Sequence, residues 1–536
     1  MNTMEGKMRE TTLEPALEPA LKLAQKLGME VIRTLPKEKL NKSICERIPY
    51  AFVRKNVVMP LEEKGDQTIV AVSDPLNLDA LDELRLILDR EIKAVYTPEE
   101  AILKAINECY NTQEGAASEF LANLSENGSH HSSTTDELDV YDLLETKEEA
   151  PIIRLLNLIL SEAIQQGASD IHFEPYENDL KVRYRIDGVL QARHSPPREY
   201  QSQLITRIKV LAKLDIAEHR LPQDGRIKLK MGGREIDFRV STAPVAYGER
   251  IVLRILDKGN VVLGIDQLGM IPSHVDAFRH LISLSEGIVL VTGPTGSGKT
   301  TTLYSALWEI FNEEINIMTI EDPVEYKLTD IAQIAVHPKI GLTFAQGLRH
   351  ILRQDPDVVM IGEIRDTETA EIAIQAALTG HLVLSTLHTN DAPSAIARLI
   401  DMGVEPYLLS STVVGVLAQR LVRRVCPNCR ERYTPHDDEL YELNLSLDKL
   451  NGHALYRGRG CKECFGSGYK GRHGIYELMT ITPQIRSQIA KSADATELRK
   501  LAMNGGMLTL RQHGAHLVRA GITTVAEVLR VSRKYD

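Results

Sequence analysis

One short segment constrains the fold of this chain more than any other. Residues 293–300 read Gly-Pro-Thr-Gly-Ser-Gly-Lys-Thr and match the phosphate-binding loop pattern G-x-x-x-x-G-K-[ST]. An apolar run at 288–292 precedes this loop, and a segment with helical periodicity at 301–311 follows it. Backbone amides between a buried strand and the N-terminus of a helix bind phosphate groups. The segment therefore predicts a nucleoside triphosphate site on an α/β fold.

The residues of the loop have separate expected roles. Lys299 would contact the β and γ phosphates, and the Thr300 hydroxyl would be a ligand of Mg²⁺. The residues expected to bind ATP are Gly293, Pro294, Thr295, Gly296, Ser297, Gly298, Lys299, Thr300 and Thr301. A fortuitous glycine turn is the alternative, and the strand and helix on either side count against it. The loop alone does not separate motors from kinases or switches.

Acidic residues follow two further apolar runs. The run 315–320 leads into residues 321–325, and the run 358–361 leads into Glu363. Because ligands of parallel sheets bind at the carboxyl ends of strands, both groups are expected to face the nucleotide. Hydrolysis needs one carboxylate to orient the attacking water and another group to hold the metal ion, and Glu325 and Glu363 suit these roles in that order. The alternative is that these acids only cap helices at strand ends.

Four of the six cysteines form two C-x-x-C pairs, Cys426 with Cys429 and Cys461 with Cys464. Four thiolates can close tetrahedrally on Zn²⁺. In a long chain without a visible export signal, this spacing favours a metal site over disulfide bonds. Redox-active pairs are the alternative, but no thioredoxin-like βαβ pattern surrounds these cysteines.

Length, composition and charge narrow the class of protein. A chain of 536 residues is too long for one core, and 43% apolar with 26% charged residues is typical of soluble globular proteins. The net charge of -11 argues against a protein that mainly binds nucleic-acid phosphates. No signal peptide is visible, and no run approaches the roughly 18 to 20 apolar residues that span a bilayer. We expect a soluble protein that reaches a membrane only through a partner.

Periodicity predicts a helix at 78–88 and strands at 57–61, 68–72, 180–186, 226–230 and 235–240. Changes in periodicity and composition divide the chain into six parts. The predicted parts are an N-terminal α/β domain at 1–111, a polar flexible linker at 112–147, a domain with antiparallel strands at 148–258, a parallel α/β core at 259–420, a four-cysteine module at 421–470 and a helical region at 471–536.

The motifs resemble those of one protein superfamily. The order GPTGSGKT, IEDPVE, LRHILRQDPDVVMIGEIRD and TGHLVLSTLHTND is similar to that of the secretion ATPases, and closest to type II secretion and type IV pilus extension ATPases. The resemblance covers about residue 151 to the C-terminus. It implies a RecA-like P-loop core, a preceding PAS-like α+β domain, an N-terminal docking domain, a structural Cys₄ zinc module and a hexameric ring.

The resemblance also implies roles for individual residues. Glu325 in the Asp box is the expected catalytic base, and Glu363 takes the acidic role of Walker B, with Gly362 where other P-loop proteins have aspartate. His381 and His388 would sense the γ-phosphate or the neighbouring subunit. Arginines expected to reach the nucleotide are Arg239 and Arg254, with Arg349 and Arg353 as further candidates. For each arginine, a solvated strand or helix face is the alternative.

The sequence thus favours an ATPase motor that powers pseudopilus assembly for type II secretion, on the inner face of the cytoplasmic membrane and bound to inner-membrane platform and docking proteins. A type IV pilus extension ATPase shares every motif and is the nearest alternative. A helicase-like nucleic-acid motor is disfavoured by the acidic charge and the 5% aromatic content. An ATP-binding scaffold without hydrolysis is disfavoured by the intact Lys299, Glu325 and Glu363. For residues 1–111 we predict partner docking, with a sensor of a nucleotide second messenger as the alternative.

Overall fold

The computed structural model describes residues 21–110, 151–257, 263–443 and 454–532, apart from residues 22, 25, 36–41, 46, 49, 66, 232, 233, 436 and 493. The chain divides into two compact units, Met1–Lys258 and Gly259–Asp536. The predicted linker at 112–147 lies outside the described residues. Among the described residues, no helix combines the length and the apolar character needed to cross a membrane.

The N-terminal part of the first unit is a small α/β domain. Its elements are α1 (Lys42–Cys45), α2 (Tyr50–Asn56), β1 (Val58–Lys64), β2 (Gln67–Val72), α3 (Leu78–Leu88), β3 (Glu91–Tyr96) and α4 (Glu99–Tyr110). Strand β2 is central, antiparallel to β1 and parallel to β3. Residues 68–72 of β2 are buried, as expected for a strand with helices packed on it. The predicted strands near 57–61 and 68–72 and the predicted helix at 78–88 are confirmed.

The rest of the first unit is an α+β domain on one antiparallel sheet. Its elements are α5 (Pro151–Gln165), β4 (Ala168–Pro175), β5 (Leu180–Ile186), β6 (Val189–His194), α6 (Gln201–Leu211), β7 (Gln223–Met231), β8 (Arg234–Val245) and β9 (Gly248–Asp257). The strand order is β6-β5-β4-β9-β8-β7. Helix α5 begins at Pro151, and the missing N–H of proline has no cost there because the first residues of a helix have no intrahelical acceptor for their N–H groups. The apolar face of α5 is buried together with residues of the sheet. The predicted antiparallel strands are confirmed, and three strands are added to them.

The second unit contains the predicted parallel α/β core. Its elements up to the cysteines are α7 (Pro272–Ile282), β10 (Gly287–Thr292), α8 (Lys299–Ile310), β11 (Ile317–Glu321), β12 (Ala332–Ala335), α9 (Phe344–Ile351), β13 (Val358–Ile361), α10 (Thr367–Leu378), β14 (Leu382–Leu387), α11 (Pro393–Asp401), α12 (Pro406–Thr412) and β15 (Val413–Val425). The sheet order is β12-β11-β13-β14-β10-β15-β18, where β18 is the later strand Tyr469–Thr480, and among these described strands only the pair β15–β18 is antiparallel. All six residues of β10 and of β14 are buried. Because these two strands pair in parallel, their carboxyl ends lie at the same edge of the sheet.

The C-terminal part continues the core sheet. Its elements are β16 (Arg430–Tyr433), α13 (Asp437–Tyr441), β17 (Leu455–Gly458), β18 (Tyr469–Thr480), α14 (Pro483–Ala490), α15 (Ala495–Asn504), α16 (Leu510–Arg519) and α17 (Val525–Val531). The predicted limits at 420/421 and 470/471 fall inside β15 and β18, and the six-part division stays a proposal. Glu477 of β18 is fully buried, and its carboxylate accepts hydrogen bonds from the amides of Ala392 and Leu510, at the N-termini of α11 and α16.

Candidate nucleotide site and cysteine cluster

The predicted loop lies between β10 and α8, at the carboxyl edge of the parallel sheet. Gly298 has a φ of +89°, and a Cβ there would lie 2.7 Å from the Gln419 amide nitrogen, so glycine is required for both conformation and space. Within the described part of the chain, the amides of Thr295, Gly296 and Gly298 donate to no protein acceptor. Amide groups without a protein acceptor, at the N-terminus of a helix, fit the oxygens of a phosphate.

Lys299 is the cation of this loop. Its ammonium donates hydrogen bonds to the carbonyl oxygens of Gly293, at 2.9 Å, and Pro294, at 3.2 Å. The pKa of Lys299 is lowered to about 8, mainly because burial disfavours the charged form; the Glu363 carboxylate opposes this shift, and the positive charge of Arg420 adds to it. A lysine held in this way lacks a full counter-charge, which the phosphates of a nucleotide would supply.

Glu363 and His388 lie beside Lys299, as the motif order implied. Glu363 follows β13, its side chain is 16% exposed, and it forms an ion pair with Arg365. His388 follows β14, and its Nε2 lies 3.5 Å from a Glu363 carboxylate oxygen. Burial, followed by the charge of Lys299, lowers the pKa of His388. A carboxylate, an imidazole and an ammonium group thus meet at the ends of three parallel strands.

Close packing against strand β11 explains why residue 362 is a glycine. Its amide donates to the Ile320 carbonyl oxygen at 2.8 Å, and its carbonyl oxygen accepts from the Thr386 hydroxyl at 2.7 Å. A Cβ at Gly362 would lie 3.3 Å from the Cα of Glu321. An aspartate at this position, where other P-loop proteins carry one, would therefore press against strand β11.

Two of the three acids of the 321–325 segment, Glu321 and Glu325, differ in environment. Glu321 is buried, and its carboxylate accepts hydrogen bonds from Tyr304, Thr319 and Gln333. Glu325 is exposed, beyond the carboxyl end of β11. Because both oxygens of Glu321 are already engaged, Glu325 is the acid of the pair that solvent and a nucleotide can reach.

His381 lies elsewhere. It precedes β14, and its Nδ1 lies 2.8 Å from the Ala376 carbonyl oxygen. At about 3.3 Å per residue, the six residues of β14 separate it by about 20 Å from the carboxyl end of the sheet. Within one chain His381 therefore does not lie beside the phosphate loop, and contact with a neighbouring subunit stays a prediction for it.

The sequence reasoning missed two residues of β15, one that contacts the loop and one whose charge acts on Lys299. The Gln419 side chain donates to the Ser297 carbonyl oxygen at 2.8 Å and accepts from the Thr302 hydroxyl at 2.7 Å. The buried Arg420 donates to the carbonyl and side-chain oxygens of Asn390, both at 3.1 Å. A polar pair inside the otherwise apolar run 413–422 is the signal that could have indicated them.

The candidate arginines are engaged in different ways. Arg254 donates to an Asp170 carboxylate oxygen at 3.0 Å, and Arg239 lies directly opposite Arg254 in the sheet. Both belong to the first compact unit, so their approach to a nucleotide stays a prediction. In the second unit, Arg349 pairs with Glu368 at 2.8 Å, and Arg353 donates to the Arg349 carbonyl oxygen at 2.9 Å.

The four cysteines of the two C-x-x-C pairs form one cluster. Their sulfur atoms all lie within 4.8 Å of one another, with separations of 3.9 Å for Cys426–Cys461, 3.8 Å for Cys429–Cys464 and 3.6 Å for Cys461–Cys464. Four thiolates about 2.3 Å from a tetrahedral Zn²⁺ would lie about 3.8 Å apart. The donor set and its spacing therefore fit zinc.

Amide groups further support a metal-binding arrangement. The Cys464 sulfur accepts hydrogen bonds from the backbone amides of Cys461, at 3.1 Å, and Gly468, at 3.3 Å. Burial raises the pKa of the Cys464 thiol, but these amides, together with hydrogen bonds from the Cys461 and Cys429 side chains, outweigh burial and bring the pKa to about 7. Deprotonated sulfur is the form that binds metal.

Comparisons with known proteins agree with this geometry. A sequence profile described as "Type II/IV secretion system protein" matches residues 145–530, and a profile of the MshEN domain matches residues 27–116. The chain is 45% identical to the type II secretion system ATPase E of Vibrio cholerae serotype O1, over 91% of this chain and 97% of the relative. It is 44% identical to the type IV pilus assembly ATPase PilB of Myxococcus xanthus, over 91% and 86% of the two chains.

A solved structure shares the fold. The ATPase DotB of Yersinia pseudotuberculosis superposes with a TM-score of 0.52 at 22% identity, over 74% of this chain and 99% of that one. At this identity the likeness concerns the fold alone. The profile match and the two relatives establish the family.

Proposed function

This chain belongs to the type II/IV secretion system protein family, and we propose that it is the ATPase that powers pseudopilus assembly for type II protein secretion. The observation that carries the proposal is the meeting of Lys299, Glu363 and His388 at the phosphate loop. Relatives at about equal identity divide between type II secretion and type IV pilus assembly. Pilus extension is therefore the second candidate.

The proposed reaction is hydrolysis of the terminal phosphoanhydride bond of ATP. A water molecule attacks the γ-phosphorus, the bond from that phosphorus to the bridging oxygen breaks, and ADP leaves with its electrons. Glu325 orients the water and accepts a proton from it, while Lys299 and the loop amides hold the phosphate oxygens. Mg²⁺, when bound, would neutralise phosphate charge, and the Thr300 hydroxyl and the Glu363 carboxylate would hold it directly or through water.

Other parts of the chain receive supporting roles. Arg239 and Arg254 are proposed to stabilise the negative charge of the transferring phosphoryl group, an effect worth about 10³- to 10⁵-fold in rate for arginines of this kind. The cysteine cluster is proposed to bind one structural Zn²⁺, which would tie the end of β15 to the start of β18. Residues 1–111 are proposed to dock on inner-membrane proteins, in a homo-hexamer on the cytoplasmic face of that membrane.

Gene replacement in the source organism tests the proposal. A Lys299→Ala variant should abolish export of secreted proteins while the chain accumulates to its normal level, because the phosphates lose their main cation. The matched control is Glu313→Gln, which neutralises an exposed side chain beyond the far end of α8. This control should secrete normally.

The outcomes separate the candidates. Loss of secretion with intact surface pili supports the main proposal. Loss of pili with normal secretion would support the pilus extension function instead and leave the proposed ATP site unchanged. Normal secretion and normal pili in the Lys299→Ala strain would contradict both.

A further inference from the structure

Helix α8, which carries Lys299 and Thr300, also carries a fully buried tyrosine. The Tyr304 hydroxyl donates a hydrogen bond to a Glu321 carboxylate oxygen at 2.5 Å. Burial raises the pKa of this tyrosine well above its ordinary value, so it stays a donor. At about 1.5 Å per residue, Tyr304 lies about 7.5 Å along α8 from Lys299, inside the helix.

Glu321 is a buried carboxylate stabilised by neutral donors. Its second oxygen accepts from the Thr319 hydroxyl at 2.7 Å and from the Gln333 side-chain amide at 3.0 Å. Among the described residues, no lysine or arginine pairs with it. A buried charge without a counter-ion is costly, so an apolar pair would be the simpler means of packing α8 on the sheet. Stability alone therefore does not explain why the residues that pack α8 on the sheet here are polar.

Tyr304 and Gln333 also contact the segment that carries Glu325, which offers such a reason. The Glu325 backbone amide and the Gln333 side chain both donate to the Tyr304 hydroxyl, the latter at 3.3 Å. Gln333 also accepts from the Leu328 amide at 2.7 Å, and the Tyr326 ring packs edge-on against Tyr304 with ring centroids 4.6 Å apart. The segment that carries Glu325 is thereby fastened to the phosphate-loop helix at several points.

We propose that Tyr304, Glu321 and Gln333 are positioning residues that set the catalytic Glu325 at a fixed height above the helix that holds the phosphates. They do not touch ATP. The polar groups specify one register between α8 and the 322–328 segment, because hydrogen bonds need defined distances and angles, whereas apolar packing would allow small shifts. This inference rests on the proposed hydrolysis and adds to it the device that aligns the base.

Steady-state ATP hydrolysis by the full-length chain tests the proposal. Tyr304→Phe removes one oxygen and keeps the ring. We expect it to lower kcat about 10- to 100-fold, because a displacement of the base near 1 Å costs about 10²-fold. The KM for ATP and the Kd for a non-hydrolysable ATP analogue should stay near the wild-type values, since Lys299 and the loop amides are unchanged.

An exchange of partners provides the decisive control. Glu321→Gln places an amide against the amide of Gln333, and Gln333→Glu places two carboxylates together, so each single variant should lose kcat. In the double variant a carboxylate on residue 333 can accept from an amide on residue 321, and most of the lost kcat should return. A purely structural role would instead lower the melting temperature and the affinity for the analogue together with kcat.

The results separate this proposal from the one on which it rests. Wild-type protein without ATP turnover would refute the proposed function. Wild-type turnover with unchanged kcat in Tyr304→Phe, or single-variant losses that the double variant does not restore, would overturn the positioning role alone.

Discussion

The strongest quantitative prediction concerns the proton on Lys299. In the nucleotide-free chain its pKa is about 8, below the ordinary 10.5, mainly because burial disfavours the charged form. The phosphates of ATP would add several negative charges at this ammonium group and return its pKa to the ordinary range or above. Binding of nucleotide at alkaline pH should therefore take up a proton.

The magnitude follows from the titration curve of a single group. At pH 8 about half of the free protein carries neutral Lys299, and at pH 9 about nine-tenths does, so binding should take up about 0.5 and 0.9 protons. The same linkage makes the Kd for nucleotide rise by up to about tenfold per pH unit above pH 8. At pH 7 both effects should be small.

Isothermal titration calorimetry with Mg²⁺ and a non-hydrolysable ATP analogue measures this uptake. The slope of the observed enthalpy against the ionisation enthalpy of the buffer gives the number of protons. Lys299→Arg is the matched control, because a guanidinium group stays charged throughout this range. Equal uptake by wild type and Lys299→Arg, or no uptake at pH 9, would refute the assignment.

Three further predictions concern other sites. Burial raises the pKa of Glu477 to about 7, so the folded chain keeps a proton that the unfolded chain loses near pH 4.5. The free energy of unfolding should therefore fall by roughly 3 kcal/mol from pH 4.5 to pH 7. Glu477→Gln should remove this pH dependence. Hydrogen exchange at the two backbone amides that donate hydrogen bonds to the Glu477 carboxylate measures it. Purified protein should contain one zinc per chain by mass spectrometry, and Cys464→Ser should lose it while still binding nucleotide. His388→Ala should lower kcat by at least about tenfold, whereas His381→Ala should leave the Kd of the ATP analogue unchanged.

Periodic apolar segments made much of the fold predictable. Helix α3 and strands β5 and β13 have the bounds that the sequence indicated. The buried residues of α3 and β5 recur at the helical and the strand period, and β13 is a short apolar run whose four residues are all buried. Strand β4 escaped prediction because its second face carries Asp170, His172 and Glu174, which are buried. Arginines of neighbouring strands form ion pairs with Asp170 and Glu174. A local sequence pattern does not show such pairing between strands.

The site could be predicted where its residues form motifs, and not where it depends on tertiary contact. The loop 293–300 and the four cysteines have spacings that themselves specify the chemistry. Gln419 lies 122 residues from Ser297, and only the pairing of β10 with β15 brings the two together. The placement of His381 at the far end of β14 likewise depends on strand direction, which the motif alone does not give.

The central claim is that this chain hydrolyses ATP with Glu325 as the base. The most direct test compares the steady-state kcat of the wild-type chain, Glu325→Gln and the control Glu313→Gln, with the Kd for the ATP analogue measured on each. We expect Glu325→Gln to lower kcat by at least about 100-fold with little change in Kd, as loss of a general base does, and Glu313→Gln to match the wild type. Wild-type turnover in Glu325→Gln would contradict the account.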